Sequence, residues 1–341
     1  MRRIPVKMIA GRLIAIPVSL FAVASLAFWM IRLSGTNAAS SVAGEYATPE
    51  AIAQTERQLG LDRGLWDQYA SFLGGLLRGD LGTSYFTRQP VAEELAARLP
   101  LDATLGVLAL AVAVAAGVAL GAVGAWYRAA WPDRAGRSVV ALLQSVPEFV
   151  FALVLIYVLF FHLRLLPAPV GQLALDQAAP PRITGVAVLD AVPAGDWAAF
   201  RAAAAQLVLP VVSFGLVLSA VFAKVTRSAF GSVLASPQVE YARALGLPPR
   251  RVFLSALTVS RTAILTTVAI VSGALIGGNA IMQKIFSLDG AAAFGVDSIL
   301  KLDLPVVQGL VLVFGGITVV LFLLIDILIL LLDPRVRAAS S

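Results

Sequence analysis

The chain has 341 residues, of which 59% are hydrophobic and 13% charged, with a formal net charge of +6. Its apolar residues fall in long blocks rather than at the short periods of a soluble core, a composition that belongs in a bilayer. With no cysteine and one histidine, His162, disulfides, thiolate metal sites, Cys nucleophiles and His-rich clusters are excluded; the basic excess lacks interleaved aromatics and points to a membrane surface, not to nucleic acid.

A spanning helix needs about 20 apolar residues at roughly 1.5 Å each. Bounding each block by its nearest charges, and allowing one internal charge in the third (Glu148) and the sixth (Asp326), predicts six spans: 13–31, 103–127, 138–163, 202–223, 262–283 and 304–332. The first follows Arg2, Arg3 and Lys7 and is too long for the apolar core of a cleaved signal peptide, so a retained anchor is expected. Six spans put both termini on one side. The loops on that side, including 1–12, 224–261 and 333–341, hold 15 basic and 3 acidic residues, against 11 basic and 15 acidic on the other. Both termini are therefore predicted to be cytoplasmic.

The outer segment, 32–102, carries folding signals. Thr48 can cap a helix that has Pro49 at its first position, Glu50 in its opening turn and Gly60 at its close. Trp66, Tyr69, Phe72 and Leu73 then recur at helical spacing, an apolar stripe suited to the membrane surface or to packing on the rest of the chain. A small ordered cap is expected.

The cytoplasmic loop 224–261 has the strongest functional signal. Ser236 is a candidate cap, Pro237 fits the first turn, Glu240 sits where the helix dipole favours a carboxylate, and Gly246 can close the helix left-handed before Pro248 and Pro249. Val239, Ala242 and Gly246 share a face small enough for close docking on another protein, with Arg243, Arg250 and Arg251 around it. The bland alternative is an amphipathic loop helix held by packing.

Glu240-Tyr-Ala242, followed after three residues by Gly246, resembles the EAA motif of binding-protein-dependent ABC importer permeases. Ala47-Thr-Pro-Glu50, Leu59-Gly-Leu-Asp62, the glycine-rich stretch 74–82, Pro305-Val-Val-Gln-Gly309 and Leu332-Asp-Pro-Arg335 resemble its dipeptide, oligopeptide and nickel branch, so the likeness covers nearly the whole chain. It implies an all-α polytopic protein of the bacterial cytoplasmic (inner) membrane with the type I importer fold: a first helix, an outer cap and a five-helix core, 103–332. It also implies a second homologous permease subunit, two ATP-binding-cassette ATPase domains and an extracytoplasmic solute-binding protein. The helix 237–245 would be the coupling helix, with Pro237, Glu240, Tyr241, Ala242, Arg243, Gly246, Arg250 and Arg251 meeting the ATPase. ATP and Mg would sit on those partners. None of the four lysines follows a glycine, so this chain has no P-loop, and no cofactor or metal of its own is expected. Peptides are the expected cargo, with nickel or another small solute as the alternative. Two stretches depart from the family pattern: 263–268 lacks proline, and 283–290 replaces a commoner Glu-Thr-Val-Phe-x-x-Pro-Gly, so the bend of the fifth span and the outer gate are left open.

Within the spans, Glu148 after Pro147 is the pathway candidate, because a carboxylate in a bilayer tends to face a cavity or a partner; the alternative is a structural role. Asp326 is read as a helix-packing residue near the cytoplasmic boundary, and His162 as interfacial. Gly117 with Gly121, and Gly273 with Gly277, have spacing that lets helices approach closely. A proton-coupled secondary transporter would use Glu148 and Asp326 as relays, but no internal repeat supports it. An assembly protein without transport would leave the capped loop helix without a task.

Overall fold

The structure is a computed structural model that describes residues 6–33, 38–44, 46–174, 176–275 and 280–332, with side chains described for all of these except 6–15, 274 and 325–332. Among the described residues the fold is helical: α1 (Val6–Leu33), α2 (Ala38–Ala43), α3 (Pro49–Leu59), α4 (Leu65–Leu76), α5 (Val91–Trp126), α6 (Trp131–Ser145), α7 (Glu148–Leu155) continued by a π-helical turn (Ile156–His162), α8 (Ala187–Asp190), α9 (Trp197–Leu234), α10 (Pro237–Ala244), α11 (Pro249–Leu275), α12 (Ala280–Ile285), α13 (Ala291–Lys301) and α14 (Leu304–Leu332).

Five of these helices are long and apolar enough to cross a membrane, in α1, α5, α9, α11 and α14; α6 with α7 makes a sixth span if the bent pair counts as one. The expected third span, 138–163, is thus not one rod. Pro147 lacks an amide and holds Val146 extended (φ −101°, ψ 128°), so the helix breaks there and bends by 107°. The expected fifth span, 262–283, belongs to a helix that starts earlier. Pro249 occupies its first turn, where a missing amide costs nothing, and α11 runs without interruption through the proline-free 263–268. Residues 276–279, with Gly277, and the tail 333–341 lie outside the described residues, as does the side chain of Asp326.

The chain divides into two compact units, residues 1–102 with 289–320, and residues 103–288 with 321–341. In the first unit, α3 has the capping read from the sequence: Thr48 Oγ1 accepts from the Ala51 amide at 3.3 Å, and Gly60 closes the helix at φ 66°. The aromatic stripe of α4 lies on α1, where Trp66 meets Trp29 at 5.0 Å and Phe72 meets Phe28 at 5.5 Å; the Tyr69 hydroxyl is 2.6 Å from Ser25 Oγ. Val91, Leu95, Ala291 and Val306 form this unit's core. Asp102 accepts from the first amides of α13, Ala291 at 2.6 Å and Ala292 at 3.1 Å, satisfying donors that a helix start leaves free.

The second unit is built around α9, on which α6, α7, α8 and α11 pack. Close approach of α5 and α9 is permitted by glycine. A Cβ on Gly117 would collide with Phe222 and lie 2.5 Å from the Ser219 carbonyl; one on Gly121 would lie 2.5 Å from the Ala223 carbonyl; one on Gly215 would lie 2.6 Å from Val112. The Gly273 site is similar, with the Phe322 ring 2.8 Å away. The connection before α9 is fastened by Asp190, which is 2% exposed. Its carboxylate accepts from the Thr184 amide and hydroxyl, each at 2.7 Å, and from the Gly185 amide at 3.0 Å. Burial opposes its charge, but hydrogen bonds from the Thr184 hydroxyl and the amides of Thr184, Ile183 and Gly185 together hold the carboxyl below its ordinary value.

Candidate functional site

The loop helix expected from the sequence is α10. Ser236 stands at its N-cap with extended backbone (φ −80°, ψ 150°), yet its hydroxyl does not cap it: Ser236 Oγ donates to the Val233 carbonyl at 2.6 Å. The last turn of α9 leaves carbonyls without intrahelical donors, and the hydroxyl serves one of them. Pro237 and Glu240 occupy the first turn as expected. At the other end, Gly246 has φ 73°, its amide donates to Arg243 O at 2.9 Å and the Leu247 amide donates to Ala242 O at 3.2 Å. This is the paired closure that a left-handed residue allows. A Cβ on Gly246 would meet nothing within 4 Å, so only the backbone angle demands glycine there.

The orientation of α10 differs from the expectation. Val239 is 7% exposed and packs with Ala122, Ala125, Phe230, Val252 and Ala256, with Ala242 against the same cluster. The Val239 and Ala242 face is therefore docked on this chain's own α5, α9 and α11, and is not offered to another protein. The physical reason is the apolar floor beneath it. Phe230 and Phe253 stand edge to face at 5.0 Å, and Trp126 meets Phe253 at 5.3 Å, a surface that a short helix with one apolar side can cover. What α10 exposes is Pro237, Glu240, Tyr241, Arg243 and Leu245, followed by Gly246, Arg250 and Arg251. Tyr241 is 66% and Leu245 62% exposed, unusual for such side chains.

A second constellation at this end of the bundle was not anticipated. Asp133, in the first turn of α6, is 2% exposed and accepts from one guanidinium edge of Arg227 on α9, Nε at 2.7 Å and Nη2 at 3.1 Å. It also accepts from the Ala129 amide at 3.1 Å, fixing the α5–α6 turn in which Ala129 has φ 63°. Arg137 stands 3.7 Å away. The only sequence signal was a lone carboxylate in a basic loop, with its partner 94 positions away. The carboxylate is shielded while Arg227 remains 37% exposed, and their bidentate pairing holds α6 to α9 by geometry that apolar packing does not specify.

Glu148 opens α7 directly after the bend, and Pro147 occupies its cap position. Its side chain is part-exposed and has no hydrogen-bonding or ionic partner among the described residues. It is not brought together with α10, since α7 packs on α9 and α12 while α10 packs on α9 and α11. His162 ends the π-helical turn. Among the described residues no three His, Cys, Asp or Glu side chains converge as metal ligands.

Comparison with known proteins extends these observations. The family described as binding-protein-dependent transport system inner membrane component matches residues 113–338, and its N-terminal companion, the membrane component N-terminal region, matches residues 5–106. The chain is 33% identical over 328 residues to the dipeptide transport system permease protein DppB of Alkalihalophilus pseudofirmus, covering 95% of this chain and 97% of that one. It is 33% identical over 302 residues to DppB of Escherichia coli strain K12, covering 87% and 88%. A probable peptide ABC transporter permease, y4tP of Sinorhizobium fredii, is 30% identical over 311 residues, covering 91% and 92%.

Proposed function

Because the chain belongs to the binding-protein-dependent transport system inner membrane components, the permease subunits of ATP-binding-cassette importers, we propose that it forms half of a pathway for peptides. A second homologous permease would supply the other half. Two ATPase domains would drive it from the cytoplasm, where both termini lie, and a solute-binding protein would deliver cargo outside. Peptides are preferred over nickel because the relatives named above are dipeptide and peptide permeases.

The observation that carries the coupling assignment is the two-sidedness of α10. Its inner face is anchored on three helices, and its outer face presents Glu240, Tyr241, Arg243 and Leu245 uncovered. Anchoring makes the helix a rigid contact, so that displacement by a partner would move the ends of α5, α9 and α11 together. Pro237, Gly246, Arg250 and Arg251 complete that contact, while Ala242 fixes it from beneath. ATP and Mg would act on the ATPase, and this chain's part would be mechanical.

The test is uptake of a labelled dipeptide by the reconstituted transporter, with disulfide trapping between Tyr241→Cys and cysteines placed on the ATPase surface. ATP-dependent uptake and trapping at position 241 are expected. Uptake that follows a proton gradient without ATP would overturn the reading in favour of a secondary transporter. For the pathway, Glu148→Gln is expected to change the uptake rate more than Asp326→Asn. Equal wild-type rates in both variants remove Glu148 from it.

A further inference from the structure

Beside the Asp133–Arg227 pair, the ends of α5 and α9 and one side of α6 along its length line an open cavity of about 850 Å³. Four cations line it, Arg128, Arg137, Lys224 and Arg227, against a single carboxylate, Asp133. That carboxylate is saturated by the bidentate Arg227 and the Ala129 amide. Arg128 and Lys224 are exposed, and among the described residues neither has a carboxylate within ion-pair distance. Among the described residues, nothing else neutralises the excess of positive charge that the cavity keeps.

The rest of its wall is mixed, with Gln144, Ser145, Ser228 and Ser232 beside apolar groups that include Leu120 and Val140. The side of α6 turned away from the cavity is apolar and exposed: Trp131 is 77%, Leu142 61% and Val139 44% exposed. Cations beside exposed aromatic and aliphatic groups on one helix are the pattern of a segment at a lipid headgroup boundary. Arg128 and Lys224 are the charges that bound the apolar blocks of the membrane-crossing helices α5 and α9, which is where such helices meet that boundary. An inorganic anion would use the cations and leave the apolar groups bare; a phospholipid would use both.

We propose that this cavity binds the phosphate headgroup of an anionic phospholipid, with Arg128 and Lys224 as its free cations and Leu120 and Val140 along the start of its acyl chains. The bound lipid would brace α6 against α9 beside the Asp133–Arg227 pair. The inference depends on neither cargo nor ATPase, so it is tested apart from them.

The experiment is native mass spectrometry of the full-length chain in neutral detergent, titrated with phosphatidylglycerol, phosphatidylcholine or inorganic phosphate. Phosphatidylglycerol is expected to bind at least about tenfold more tightly than phosphatidylcholine, since each cation near such a headgroup is worth about a fivefold gain. The double variant Arg128→Gln, Lys224→Gln leaves the Asp133–Arg227 pair intact. It is expected to lose roughly thirtyfold in phosphatidylglycerol affinity with phosphatidylcholine unchanged. Should it not accumulate, Lys224→Gln alone is expected to lose about fivefold. Equal binding of the two lipids, or an unaffected variant, overturns the proposal. Inorganic phosphate binding as tightly as phosphatidylglycerol overturns the lipid as occupant. Loss of the bound lipid from the assembled transporter gives the cavity to the second permease subunit and overturns the proposal equally.

Discussion

Two short helices in this chain are written in nearly the same residues. α3 begins Thr48-Pro49-Glu50 and ends at Gly60; α10 begins Ser236-Pro237, has Glu240 in its first turn and is closed by Gly246. Both glycines are left-handed, at φ 66° and 73°. The two differ in what secures them. α3 buries no residue and its cap hydroxyl accepts a backbone amide, whereas α10 buries Val239 and its cap hydroxyl turns back to α9. Similar punctuation thus serves one helix that packs on α2 without burying a residue and another that buries Val239 in what lies beneath it. Only the second can transmit a push.

The largest effect should come from breaking both helices at the same point. Gly246→Asp forces an acidic L-residue into a left-handed angle, and ATP-dependent uptake is expected to fall below about a tenth with the chain still inserted. Gly60→Asp imposes the same angle on α3 and is expected to leave uptake within about twofold. Equal losses would mean that α10 has no special mechanical part.

Next in size is the anchor. Val239→Ala removes buried aliphatic volume worth about 1.5 kcal/mol and should raise amide exchange throughout α10. No exposed position of α3 should have a counterpart effect. The caps come third and in the opposite sense. Thr48→Ala is expected to destabilise α3 by about 1 kcal/mol, while Ser236→Ala should change α10 by less than about 0.5 kcal/mol, read again by exchange.

Acid sharpens the same contrast with the smallest effect. The loop at Asp190 is held, as α3 is, by side-chain bonds to backbone amides, but through an ionised group whose folded value lies below its ordinary one. Its stabilisation is present above the unfolded value of about 4 and is lost as pH falls through the lower folded value. Proteolytic nicking between 183 and 190 should therefore rise in acid below about pH 4, and Asp190→Asn should abolish that rise. Burial of Val239 involves no charge, and α10 should not respond over the same window.

Much of the frame could be read in advance because it depends on local rules. Charge-bounded apolar blocks located the crossing helices, and Thr48, Pro49 and Gly60 located α3, as Pro237 and Gly246 located α10. What escaped depends on residues far apart in the chain. The spacing of Val239 and Ala242 marked a docking face, but only Phe230 and Val252 beneath it reveal that the dock is this chain. Asp133 and Arg227 find each other because the turn at Ala129 carries α6 back to α9. The break before Glu148 lay halfway between: Pro147 announced it, yet the apolar residues on both sides read as one span.

The glycines between α5 and α9 have a consequence for how a shift would travel. At Gly117 and Gly121 a Cβ would lie 2.5 Å from a facing carbonyl, and at Gly215 2.6 Å from Val112, so little side-chain bulk stands between the helices to deform. The two helices should behave as one stiff spar, tilting whole instead of shearing, so that a small displacement at the α10 end is delivered undiminished along its length.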